Sequence, residues 1–543
     1  MTRAIAVVFA LVSSSVPAAP VLSGTVTSQE EGPMEGVLVS AQASGSPITI
    51  TVVSDAKGNY AFPAGKVGTG RYAIRIRAVG YDLESPAEVR IGATPAAQPI
   101  RLRKTTDLAA QLTNAEWMTS MPGAPQEKRQ LLNCLGCHTL ERVARSKYTS
   151  EEFVATVLPR MQGYVNQSIP TAPQLRKGER LMEERGDQRV QVYKELGDFL
   201  AKVNLSRSPN WSYELEAFPR PTGAATQVVY TEYDLPDKLA QPHDVVMDPR
   251  GRVWYSSFGL QKIGRLDPAT GAVKEYGIAI SKPDYPTGVL ALRGDRDGNL
   301  WLGNMYQASI AKFDPATETF RHFTPPPEDN LSSTQLNMVS AWNSGVDGKV
   351  WSQNNGFAGV HRFDLATGKG ETWAPFKDSK EPHNIYDVIS DSHNNAFFTD
   401  FRQQHIGRID AKTGAVTLYE TPTKGSSPRR GSMDSRDRLW FGEFRGHNIG
   451  MLDTATGVIT EWKVPTPYSA PYDVVLDKDE RAWTGSMTTD RVARLDTRSG
   501  KFVEYLLPRS TNIRRVFVDD TTTPPTFWVG NNHGASIVKL EAK

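Results

Sequence analysis

Six segments of the chain share one short text, and their spacing dictates the fold class. RLDPATG, KFDPATE, RFDLATG, RIDAKTG, MLDTATG and RLDTRSG place Asp267, Asp314, Asp364, Asp410, Asp453 and Asp496 ahead of a turn. Successive aspartates lie 47, 50, 46, 43 and 43 residues apart. Each unit also carries a strand with an aromatic core position: GRVWYSS, GNLWLGN, GKVWSQN, NNAFFTD, DRLWFGE and ERAWTGS, with PTFWVGN in a last unit. A period of this length with several short strands signals a β-propeller. Seven units predict seven blades within residues 225–543. The last unit stops after its third strand, and VVYTEYDLP at 228–236 matches the missing fourth. We expect it to complete the last blade and close the ring, which leaves no exposed sheet edge.

A chain of 543 residues exceeds what one core supports, so further domains are expected. Residues 22–104 read as a small β-sandwich. GVLVSAQ and RYAIRIRAVGY alternate apolar and polar residues, and VSDAKGNYAF sets a turn before Tyr60 and Phe62. This pattern resembles the carboxypeptidase regulatory-like module, a transthyretin-like sandwich, over residues 19–104. Residues 105–205 turn helical. Thr149 and Glu152 form a capping box ahead of the stripe Val154, Val157, Leu158 and Met161, and QVYKELGDFLAKV is amphipathic. Residues 206–224 read as a linker. The expected fold class is therefore multidomain and mainly β: sandwich, all-α domain, seven-bladed propeller.

The N-terminus carries Arg3, then an apolar run from Ala4 to Val12, then Val16-Pro17-Ala18. This is the pattern of a signal peptide over residues 1–18, which implies a periplasmic or secreted protein. No later run approaches a membrane span. A net charge of +2 argues against a nucleic-acid partner.

Cys134-Leu-Gly-Cys137-His138 contains both cysteines of the chain. C-x-x-C-H is the spacing of a c-type haem attachment: two thiols for the haem vinyls and the next histidine for iron. A redox dithiol would need a thioredoxin-like βαβ context, and a zinc site would need further ligands. The expectation is one haem c on Cys134 and Cys137 in an all-α cytochrome c domain, with His138 as one axial ligand. His138 is the only histidine before residue 243, so the sixth ligand must come from elsewhere. Met161 is the chosen candidate among Met118, Met121, Met161 and Met182, and packing in the core is its alternative role.

Aligned on the aromatic strand, the slot of His243 in QPHDVVMD is filled by Tyr386, Arg429 and Tyr472 in later blades. Fourteen residues on stand Ser257, Asp400, Glu443 and Ser486. These positions should converge on the central funnel, where propellers bind ligands. His243, Arg429 and Glu443 are the candidate catalytic set, and Glu443 with Asp400 the candidate second metal site.

PHDVVMDPRGRVWYSS, DRLWFGEFRGHNIGML and the repeating I-G-R-L/I-D resemble the streptogramin B (virginiamycin B) lyase family over about 315 residues, counted from the repeat period. The resemblance implies a seven-bladed propeller that opens a cyclic depsipeptide by elimination, with a histidine base and Mg2+ near glutamates. Only His243 occupies a P-H slot, and His383 in EPHNIYDV lies three residues before its own. The haem motif favours an exported mono-haem protein with an electron-transfer role, whose propeller binds a redox partner protein or a small-molecule substrate. A metal-dependent lyase of the streptogramin type, with His243 or His383 as base, is the second reading, and a non-catalytic binding scaffold the third.

Overall fold

The computed structural model describes residues 22–85, 87–175 and 187–543. The expected signal peptide and Met182 lie outside them.

The repeat text folds into blades of four antiparallel strands. The first comprises Pro242–Met247, Val253–Ser257, Lys262–Leu266 and Val273–Gly277, and five more four-stranded sheets follow in the same order. The local cause is visible in each turn. Asp248 accepts from the backbone N–H groups of Arg250 and Arg252 and from the Trp254 indole at 2.8 Å. Asp295 with Trp301, Asp434 with Trp440 and Asp477 with Trp483 repeat that indole bond. The aspartates of the RLDPATG-type turns accept from the backbone two residues on, as Asp267 does from Ala269 and Asp453 from Ala455. The indole-bonded carboxylates both nucleate a turn and pin the neighbouring strand, and the RLDPATG-type carboxylates nucleate turns.

The seventh blade closes as the sequence suggests. Ile513–Asp519, Thr526–Asn531 and Ser536–Ala542 are completed by Val228–Asp234, which pairs antiparallel with the last strand from Val228↔Ala542 to Asp234↔Ser536. Its other edge pairs with Ile48–Val53, so blade seven runs on into the sandwich as one eight-stranded sheet. Tyr230 packs into the blade and Val229 into the sandwich core. The period-2 alternation of one strand thus serves two cores.

Residues 104–220 depart from expectation. The helices are short: Asn114–Ser120, Pro125–Arg129, Leu140–Ala144, Ser150–Glu152 and Leu158–Gln162, with Asp187–Val203 the one long helix among the described residues. The Thr149–Glu152 capping box forms. A π turn over Phe153–Val157 follows and shifts the apolar stripe. Phe153 and Leu158 carry the burial, and Met161 is 41% exposed. The buried side chains here do not form a core of their own. Trp117, Met118, Leu131, Leu135 and Leu140 join one cluster with Phe258, Leu290 and Met487 of the propeller. The expected independent all-α cytochrome c domain is therefore corrected to a helical cap seated on the propeller. Among the described residues no helix is long and apolar enough to cross a membrane.

Candidate functional site

The alignment of slots is a real register. Pro242 pairs with Ser257, Ile385 with Asp400, Pro428 with Glu443 and Pro471 with Ser486. His243, Tyr386, Arg429 and Tyr472 follow those prolines or isoleucine and meet at the funnel. Tyr472 Oη lies 2.9 Å from His243 Nε2 and 2.5 Å from Tyr386 Oη, and Arg429 Nη2 donates to Tyr386 Oη at 3.2 Å. His243 Nδ1 is held by Asp244 Oδ1 at 2.8 Å. Both ring nitrogens are thus engaged, and the side chain is fully buried. Burial drives its pKa down to about 3 against the pull of Asp244, so the imidazole is neutral and sealed from solvent.

One residue further on, acids and bases pair. Arg430 grips Asp244 with both terminal nitrogens at 2.6 and 2.9 Å, and Arg293 grips Asp387 at 2.9 and 2.8 Å. Arg515 reaches Asp244 at 3.3 Å and Asp473 at 3.9 Å. These charges hold the inner strands together around the axis.

The other candidates separate into two groups. Asp400 accepts from His383 Nδ1 at 2.6 Å and from the Asn384 N–H at 3.0 Å, with His405 Nδ1 at 3.4 Å. Phe376 stacks on the His383 ring at 3.9 Å. His383, Asp400 and His405 bring three ligand atoms within 4.8 Å of one another, a set that suits a divalent cation or an oriented base. Glu443 stands apart from them, accepting from Asn448 Nδ2 at 2.7 Å. Burial, reinforced by the nearby Glu461 carboxyl, pushes its pKa up to about 9. Its Oε1 has no hydrogen-bond partner among the described residues. Asp400 and Glu443 therefore belong to neighbouring blades and to different clusters.

The cap covers the funnel. Asn512 Nδ2 donates to Leu135 O at 3.1 Å, and His533 Nε2 meets Gly136 O at 3.4 Å. Gln174 Nε2 donates to Gly259 O at 2.7 Å and Gln241 Nε2 to Gln167 O at 2.8 Å. Cys134 and Cys137 form no disulfide, and burial raises the Cys134 thiol to about 12. His138 Nδ1 meets Thr139 O at 2.8 Å. Sequence reasoning missed His405, Glu461, His533 and Arg514. Arg514 alone had a signal: it stands five residues before its turn aspartate, Asp519, as His243 does before Asp248.

Residues 280–541 match the Virginiamycin B lyase family. Residues 21–103 match the carboxypeptidase regulatory-like domain. Virginiamycin B lyase from Staphylococcus aureus is similar at 23% identity and a TM-score of 0.50, covering 58% of this chain and 99% of that one. A streptogramin B lyase structure gives 23% and 0.51, covering 59% and 100%. A catalytically inactive variant of the S. aureus enzyme with quinupristin gives 22% and 0.50, covering 58% and 99%. At these identities the likeness is one of fold. A comparison with curated proteins returns no match.

These findings correct the functional expectation. The chain carries a streptogramin B lyase-like propeller and a carboxypeptidase regulatory-like domain. Neither family match reaches Cys134–His138, and the region around that motif is a cap rather than a cytochrome domain. The electron-transfer reading falls, and the lyase-like reading fits better.

Proposed function

We propose that the propeller is a carbon–oxygen lyase of the streptogramin B lyase type, acting on a small-molecule ester at the face of blades four and five. The family match over residues 280–541 carries the reaction class. The base we assign is His383, because His243 is sealed with both nitrogens engaged. Asp400 holds Nδ1 of His383, which fixes the tautomer and leaves Nε2 as the basic nitrogen, now facing Ser379 Oγ at 2.8 Å. Nε2 takes the proton on the carbon next to a carbonyl. The electron pair forms the carbon–carbon double bond, the adjacent C–O bond breaks, and the oxygen leaves as a carboxylate. Arg429 has no such role in this reading, since aromatic rings and Met487 enclose it.

Mg2+ is proposed at Glu443 with Glu461. Two carboxyls bridged by Asn448 Nδ2, of which Glu443 is held protonated by burial and carries an orphaned buried oxygen, fit a divalent cation that replaces its proton. Bound there, the ion would stabilise developing negative charge on the leaving oxygen. We also propose haem c as a cofactor attached at Cys134 and Cys137, without an electron-transfer role. With Nδ1 donating to Thr139 O, His138 keeps Nε2 for iron. Haem stain on the denatured chain tests it. Export is proposed on the N-terminal pattern, and a mature N-terminus near Ala19 is the expected readout.

The deciding experiment incubates the full chain with quinupristin and Mg2+ and reads the product by mass spectrometry. Elimination linearises the ring with no change in mass, whereas hydrolysis adds one water. His383→Ala should abolish the product, and Glu443→Gln should remove the Mg2+ dependence. A product that persists in His383→Ala sinks the assignment.

A further inference from the structure

Five arginines approach the funnel axis, and their environments divide them. Arg293, Arg430 and Arg515 each face an aspartate. Arg429 and Arg514 do not. Both are buried, and both point Nη1 at the same sulfur, Met487 Sδ, at 3.0 and 3.8 Å. Four rings compensate Arg429, with Cζ 4.2 to 4.7 Å from the centroids of Tyr472, Phe444, Phe401 and Tyr386. Arg514 has only Phe258 and Tyr472, at 5.4 and 5.8 Å. Its Nε and Nη2 meet no hydrogen-bond partner among the described residues, and it is 1% exposed.

A buried charge without a partner is strongly unfavourable, and two of like sign side by side more so. The nearby imidazoles of His243 and His533 offer no counter-charge, since a histidine ring is neutral or cationic; burial holds both neutral, so they add no repulsion either. Nε and Nη2 form the side-on edge of a guanidinium, which matches the two oxygens of a planar carboxylate. The rings around it favour an organic acid over an inorganic anion.

We propose that the upper funnel, between Arg514, Arg429 and the cap turn 134–138, is a binding site for a carboxylate ligand. The cap turn lies directly above it, through Asn512 to Leu135 and His533 to Gly136. The carboxylate has two candidate sources: a diffusible organic acid, or the acid arm of a group attached at Cys134 and Cys137. The proposal is independent of the lyase reading, because it concerns binding and not turnover.

Native and denaturing mass spectrometry of the purified full chain separates the sources. An adduct lost on denaturation is a free acid, and one retained is attached at the cysteines. A chain purified without adduct should bind succinate in calorimetry. Arg514→Met should weaken a free acid by roughly tenfold or more. For an attached group, the stability gained over Cys134→Ala/Cys137→Ala should shrink in the Arg514→Met background. Arg514→Lys keeps the charge without the fork and carries the same test, with a smaller loss, if Arg514→Met does not fold. A chain with no adduct that ignores succinate overturns the proposal. So do Arg514 variants that hold the ligand as the wild type does.

Discussion

Two layers of the funnel, one residue apart in sequence except at Arg293, which reaches in from further along its strand, use arginine in opposite ways. In the lower layer Asp244, Asp387 and Asp473 meet Arg293, Arg430 and Arg515, so the charges are fixed partners of the fold. In the upper layer His243, Tyr386, Arg429, Tyr472 and Arg514 form a shell of rings and guanidiniums without a carboxylate. The difference teaches where structure ends and ligand chemistry begins. The lower layer's charges are paired with carboxylates of the chain itself, although Arg293 Nε and Arg430 Nε lack a hydrogen-bond partner among the described residues. In the upper layer Arg514 faces no carboxylate and leaves both Nε and Nη2 open.

The lower layer should break hardest. Asp244→Asn removes the charge that Arg430, Arg515 and His243 share, and keeps the shape. Stranding buried guanidiniums in this way costs about 3–5 kcal/mol. Denaturant unfolding should show that loss, and a change under about 1 kcal/mol would mean the ring is not the fastener it resembles.

Acid and alkali sharpen the same contrast. His243 and His533 titrate near 3, and His361 and His447 near 4, each because burial disfavours the charged ring. The unfolded chain binds those protons first. Stability should therefore fall as pH drops from about 6.5 toward 3–4, by about 1.4 kcal/mol per pH unit for each group in its window. Glu443 acts in the other direction. Its folded carboxyl, raised by burial to about 9, holds a proton that the unfolded chain releases above the ordinary glutamate value of 4.5. Stability should decline between those limits as pH rises. Buried Asp473, raised to about 7, adds to the lower part of that fall, so Glu443→Gln should flatten the arm above about pH 7. Scanning calorimetry across pH would reveal a wild-type slope persisting in Glu443→Gln, which would assign the effect elsewhere.

The sequence made the blades legible because each is stabilised locally. An aspartate, a turn and an aromatic strand recur at a fixed offset, so the text of one blade predicts the next. The closing strand Val228–Asp234 was legible for the same reason. Its second edge was not, since pairing with Ile48–Val53 is a contact between distant segments that leaves no periodic mark. The cap was misread as a free-standing domain because amphipathic stripes and capping boxes report helices, not what those helices bury against. At the site, Asp400 and Glu443 share one register position, yet their partners differ. His383 comes from the loop before the inner strand Ile385–Ser390, His405 from the start of that blade's third strand His405–Ile409, and Glu461 from an outer strand. Register predicts height along the funnel. Partners depend on which loops fold inward.

The smallest expected effect isolates a single hydrogen bond of the blade repeat. Trp254 donates its indole N–H to Asp248 at 2.8 Å, whereas the equivalent Trp528 in blade seven has an indole N–H with no partner among the described residues. Both side chains are buried, at 0% and 2% exposure. Replacing either by phenylalanine removes a similar volume, so the cavity term is common to both. Trp254→Phe also removes one of the two donors to Asp248 Oδ2, leaving Arg252 Nε at 2.6 Å. Trp528→Phe removes a buried donor that was not satisfied, which offsets part of its cavity cost. Trp254→Phe should therefore be the more destabilising by about 1 kcal/mol in matched urea titrations. Equal losses would mean that the turn aspartate is held by its backbone and arginine contacts alone, with the indole bond contributing nothing to the blade.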